Sequence, residues 1–120
     1  MANTLYTKPA AQDPVTIQGM DWDCAAACTT DAGTTAWIDK RGFSHGSVYV
    51  PSASGITTIT FYSANTNGAT PRAAYDQDGV AITLTVAADK AYELPSAVAG
   101  FPHLIPVTND DGTIYFHFER

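Results

Sequence analysis

Cys24 and Cys28 carry the most reactive side chains in the chain, separated by three alanines. A zinc site needs four soft ligands, and the remaining candidates are His45, His103 and His117, scattered along the sequence. The cysteines also have one residue more between them than a CxxC pair. A catalytic thiolate needs a base and electropositive surroundings. Asp21 and Asp23 supply the opposite and raise a thiol pKa. The residues therefore read as small buried thiols, in a segment whose alanines favour a short helical turn. A local disulfide stays open if that segment bends.

Asp76-Gln77-Asp78-Gly79 resembles part of a calcium loop, but a hydrophobic segment stands where further oxygen ligands are required. It reads as a turn, as does Asn109-Asp110-Asp111-Gly112. Asp21, Asp23 and Asp31 read as a solvated acidic loop. His45 falls in a turn, His103 opens a strand and His117 points outward, so no histidine metal barrel is assembled. No serine elbow or phosphate-cradling glycine loop occurs. The expectation is a protein that is not an enzyme, with no catalytic residue, metal or cofactor.

The elements that position these side chains are strands. Asp78–Val86 alternates without error, with Val80, Ile82, Leu84 and Val86 on one side and Ala81, Thr83 and Thr85 on the other. This predicts a half-buried strand in the middle of the fold. Further strands are predicted at Val15–Met20, Thr34–Asp39 (with Trp37 or Ile38 buried), Ser47–Val50 and Ile56–Tyr62. In the last of these, Ile59 and Phe61 face inward. Pro71–Tyr75 reads as an edge strand because it opens on proline. Lys90–Leu94, His103–Val107 and Thr113–Phe118 follow, the last with Ile114, Phe116 and Phe118 inward. Ser96–Gly100 reads as one helical turn capped by Ser96. About eight or nine short strands with almost no helix predict an all-β, antiparallel β-sandwich, jelly-roll-like in form.

Residues 1–14 read as an extended N-terminal arm broken by Pro9 and Pro14, and residues 15–120 as a single β-sandwich domain. Within 120 residues only 15% are charged, and the net charge is −6. An acidic chain repels phosphate backbones, which argues against nucleic acid. Its apolar runs are too short to span a bilayer, and its start lacks a signal-peptide pattern, so the expectation is synthesis in a cytoplasm with no membrane partner. Candidate contact residues are Leu5, Tyr6 and Lys8 on the arm. On the domain surface the candidates are Trp22 and Tyr49, because aromatics are enriched in contact patches, and Lys40 and Arg41, a small basic cluster that suits an acidic partner surface.

Two segments carry a resemblance. One is Trp37-Ile-Asp-Lys-Arg-Gly-Phe-Ser-His-Gly-Ser-Val-Tyr-Val50, followed by Ile56–Tyr62. The other is Asp76–Val86, then Tyr92-Glu-Leu-Pro-Ser-Ala-Val-Ala-Gly100, then the closing strand. Across roughly residues 34–120, in texture and loop order, they resemble small β-sandwich or jelly-roll virion decoration proteins (capsid cement) of tailed bacteriophages. The resemblance implies a structural virion protein on the capsid surface, made in the host cytoplasm. It also implies contact with the major capsid protein and a homo-oligomer, a trimer. It carries over no functional residue. The alternative is a sugar- or receptor-binding β-sandwich module of a phage tail or fibre, using surface tyrosines beside Asp or Asn.

Overall fold

The computed structural model describes residues 21–40, 42–66 and 68–119. The arm expected over 1–14, with Leu5, Tyr6 and Lys8, lies outside the described residues, as do the strand expected at Val15–Met20 and the contact residue Arg41. The strands are β1 (Asp21–Cys28), β2 (Ile38–Asp39), β3 (His45–Val50), β4 (Thr58–Ser63), β5 (Arg72–Ala73), β6 (Thr83–Thr85), β7 (Lys90–Glu93), β8 (His103–Thr108) and β9 (Gly112–Glu119). A 3-10 turn at Ser96–Gly100 precedes β8. All strand pairs are antiparallel. One sheet has the order β1-β9-β3-β7; the other has β2-β8-β4, with β5 and β6 both on the far side of β4. The fold is all-β, with two antiparallel sheets enclosing one hydrophobic core.

The strand at the centre is β9. It pairs along its whole length with β1 and along His45–Tyr49 with β3. Ile114, Phe116 and Phe118 are buried and Tyr115 is exposed, as their alternation requires. β1 matches it, with Trp22, Cys24, Ala26 and Cys28 inward. The helical turn expected at the cysteines is therefore a strand. Alanine propensity yields here because β1 pairs along its whole length with β9 and buries Trp22, Cys24, Ala26 and Cys28 in the core, and this tertiary context outweighs it. The disulfide alternative falls with the helix. Four residues along a strand span about 13 Å, whereas bridged cysteines need Cα atoms roughly 4.4–6.8 Å apart, and both thiols are free.

Asp78–Val86 is an edge, not the centre. Ile82 and Val86 are buried and Leu84 packs against the core, but Val80 is 59% exposed. The cause is a hairpin that leaves the sheet edge between Ala74 and Ile82. Asp76 Oδ1 accepts hydrogen bonds from the N–H groups of Asp78 (2.9 Å) and Val80 (3.0 Å). Gly79 adopts φ 78°, a left-handed conformation open to glycine. Phe61 holds the base of the excursion, donating to Ile82 O and accepting from Ala74 N–H. The acidic run is thus turn chemistry, with its carboxylate directed at its own backbone.

The expected strand at Thr34–Asp39 shrinks to Ile38–Asp39, with Ile38 fully buried and Trp37 half-buried. Thr35 takes over the edge of β8 instead, its hydroxyl donating to Pro106 O at 2.6 Å. Proline in β8 is tolerated because β2 pairs only with His103 and Leu104, so no strand needs an N–H from Pro106. The 3-10 turn is capped by no side chain, contrary to the role expected of Ser96; Pro95 holds the N-cap position. Ile56, expected on the outer face, is fully buried just before β4 begins.

Gly46 sits in β3 opposite Phe118. A Cβ there would lie 2.0 Å from the backbone oxygen of His117. Backbone of a central strand cannot swing aside as a side-chain tip can. Gly46→Ala is expected to lower stability by more than the usual ~1 kcal/mol of a point substitution, as a fall in the urea midpoint. An unchanged midpoint would contradict the close approach of β3 and β9.

Candidate interaction face

The register of β1, β9, β3 and β7 fixes what the outer face of the first sheet presents. Ala25, Tyr115, Tyr49 and Ala91 form one row across all of its strands. Asp23, His117, Ser47 and Glu93 form the next, and Asp21, Glu119 and His45 a third. Tyr49 and Tyr115 are 47% and 48% exposed, directly opposite one another. Small alanines flank them, leaving a low apolar shelf with a phenolic edge. Ser47 Oγ reaches Tyr49 Oη at 3.3 Å.

Beside the shelf lies a polar ladder. His117 Nδ1 is 2.5 Å from Asp23 Oδ1, and its Nε2 is 3.2 Å from Glu119 Oε2. His45 approaches the other Glu119 oxygen at 3.8 Å. A neutral imidazole has one N–H, so bonding to both carboxylates requires the imidazolium. Burial alone would push the His117 pKa down, but the Asp23 and Glu119 hydrogen bonds and the charges of Asp23 and Asp21 together raise it. The folded protein thus keeps this proton at pH values where the unfolded chain, with a pKa of about 6.5, has released it. Its contribution to stability is full below that value and is lost as pH rises through the folded pKa. Denaturant midpoints should fall over that window in the wild type, and the fall should shrink in His117→Gln. Identical pH profiles would contradict the clamp.

The sequence-predicted contact residues separate into distinct groups. Tyr49 is on this face. Trp22 is not a surface residue; it is 7% exposed, with its ring 5.4 Å from Phe118 and 5.7 Å from Phe43. Its inward position in β1 follows from the alternation that the helical reading hid. Lys40 is also withdrawn, at 2% exposure, by backbone carbonyls that receive its ammonium. Asp21 and Asp23, expected in an acidic loop with Asp31, are outward residues of β1. The ladder they build with His117 and Glu119 was missed as a unit. Its signal was the i, i+2 spacing Asp21/Asp23 matched by His117/Glu119, which becomes informative only once β1 is a strand.

The thiols of Cys24 and Cys28 are pushed up to about 12, in both cases chiefly by burial; Asp23 adds to the effect at Cys24. Such thiols are inert as nucleophiles near neutral pH. Among the described residues, no group of three or more His, Cys, Asp and Glu side chains could hold a metal ion. None of the described helices is long and apolar enough to cross a membrane. No protein-family model matches this chain, and neither a curated protein nor a solved structure does.

Proposed function

We propose that this chain is a structural virion protein that decorates or cements a tailed-phage capsid, meeting the major capsid protein through the outer face of the β1-β9-β3-β7 sheet. The observation that carries the reading is the row Ala25–Tyr115–Tyr49–Ala91. Solvent-facing tyrosines on rigid strands offer contact area at small entropic cost, and tyrosine is enriched at binding hot spots. The neighbouring carboxylates would set the register against basic groups of a partner.

The strand order supports a jelly roll as the finer description of the fold. The chain crosses between sheets at every connection except those from β4 to β5 and from β5 to β6, which gives β1-β9-β3-β7 in one sheet and β2-β8-β4-β5/β6 in the other. Jelly rolls are frequent in capsid and lectin proteins. On this reading the protein forms a homotrimer, its first residues serve as an arm on the shell, and it resides on the capsid surface. Particles with and without the protein should differ in resistance to heat and dilution. Equal resistance would overturn the cement role.

The exposed Tyr49–Tyr115 pair beside Ser47 and Glu93 also suits the apolar face of a sugar ring. Glycan binding that disappears on Tyr49→Ala would favour the sugar- or receptor-binding module instead.

A further inference from the structure

We infer that the pocket over Lys40 is a binding site for a single carboxylate group. Lys40 stands at the end of β2, nearly sealed from solvent at 2% exposure. Its Nζ donates to Phe43 O at 3.1 Å and to Ala99 O at 3.3 Å. An ammonium has three N–H groups. Among the described residues, Lys40 has no further acceptor and no carboxylate partner. Buried charges are ordinarily paired, because an isolated one forfeits its hydration without return.

Lys40 also lines a pocket of about 240 Å³ with Gly42, Phe43, Ala99, Gly100, Phe101 and Pro102, and its Nζ is held against the carbonyls of two of them, Phe43 and Ala99. Side chains are missing at Gly42 and Gly100, where a Cβ would meet nothing within 4 Å. The pocket thus offers a donor, room for a small group, and aromatic walls for the carbon that bears it. One ammonium matches one negative charge. The described lining holds no second cation, and the chain is acidic overall at −6. A singly charged carboxylate therefore fits better than a phosphate dianion. Burial holds the Lys40 pKa below its ordinary value, and a bound carboxylate would offset that burial. The carboxylate belongs either to a free small acid or to the side chain or terminus of another chain; the chemistry at Lys40 is the same.

The test is an NMR titration of the full chain with acetate, against chloride at equal ionic strength. Saturable shifts are expected at the Gly42, Phe43 and Gly100 amides with acetate alone, and weaker ones with inorganic phosphate. Lys40→Met should reduce acetate affinity at least about ten-fold. Gly100→Leu, which obstructs the pocket while keeping the ammonium, should do the same and covers the case in which Lys40→Met fails to fold. An acetylated tetrapeptide with a free C-terminus, compared with its amide, separates the sources. Tighter binding than acetate by the free acid identifies another chain as donor, and weaker binding identifies a small acid. Absence of saturation, undiminished affinity in Gly100→Leu, or phosphate binding above acetate would overturn the inference.

Discussion

Phe118→Ala is expected to destabilise the protein by about 3–5 kcal/mol, a large share of the roughly 5–15 kcal/mol that holds a domain folded. Phe118 is fully buried on β9. It stacks on Trp22 at 5.4 Å and on Phe116 at 5.8 Å. Its partner in β3 is Gly46, which has no side chain to move into the vacated space. The cavity cannot collapse without shifting backbone, which places the loss toward the upper end of the range. Phe118→Leu, which keeps most of the volume, should lose much less. The two variants can be compared by urea denaturation monitored at Trp22. A loss under about 1 kcal/mol for Phe118→Ala would contradict the packing described around β9.

The second large effect concerns binding and leaves the fold intact. If the proposed capsid-binding role holds, Tyr49→Ala combined with Tyr115→Ala should abolish measurable attachment to the capsid. Truncated hot-spot tyrosines cost about 2 kcal/mol or more each, close to a 30-fold loss of affinity apiece. The same pair contributes only about 0.2–1 kcal/mol to the sheet as cross-strand neighbours, because roughly half of each side chain stands in water. Binding and stability therefore respond differently, and that contrast is what makes the experiment informative. Co-sedimentation with particles measures the first and a denaturation midpoint the second. Full attachment by a folded double variant would remove this face from the proposal.

The inward residues were legible wherever alternation ran beside a strand with two partners. Ile59 and Phe61 in β4 and Ile114, Phe116 and Phe118 in β9 are all buried as their spacing requires. The same rule overreached at Val80. Periodicity records which side chains suit a sheet, but the Asp76 carboxylate and Gly79 bend the backbone away before Val80 can join one. It fell short at Asp21–Cys28, where alanine obscured the alternation of Trp22, Cys24, Ala26 and Cys28.

The candidate site was less legible for a related reason. Tyr49 stood out by type, but its partner Tyr115 and the Asp23–His117–Glu119 ladder exist as a unit only through the register of three strands. That information lies between segments far apart in sequence. Lys40 misled in the other direction. A lysine in a turn-like stretch ordinarily reaches solvent, and only the carbonyls of Phe43 and Ala99 turn it inward.

Hydroxyl-radical footprinting of Tyr49, Tyr75 and Tyr115, the exposed tyrosines among the described residues, free and on particles, bears most directly on the proposed face. Tyr75 is 53% exposed on the hairpin that leaves the opposite sheet and serves as the internal control. Protection of Tyr49 and Tyr115 with Tyr75 unchanged is the predicted result. Protection of Tyr75 with Tyr49 and Tyr115 still oxidised would contradict the account.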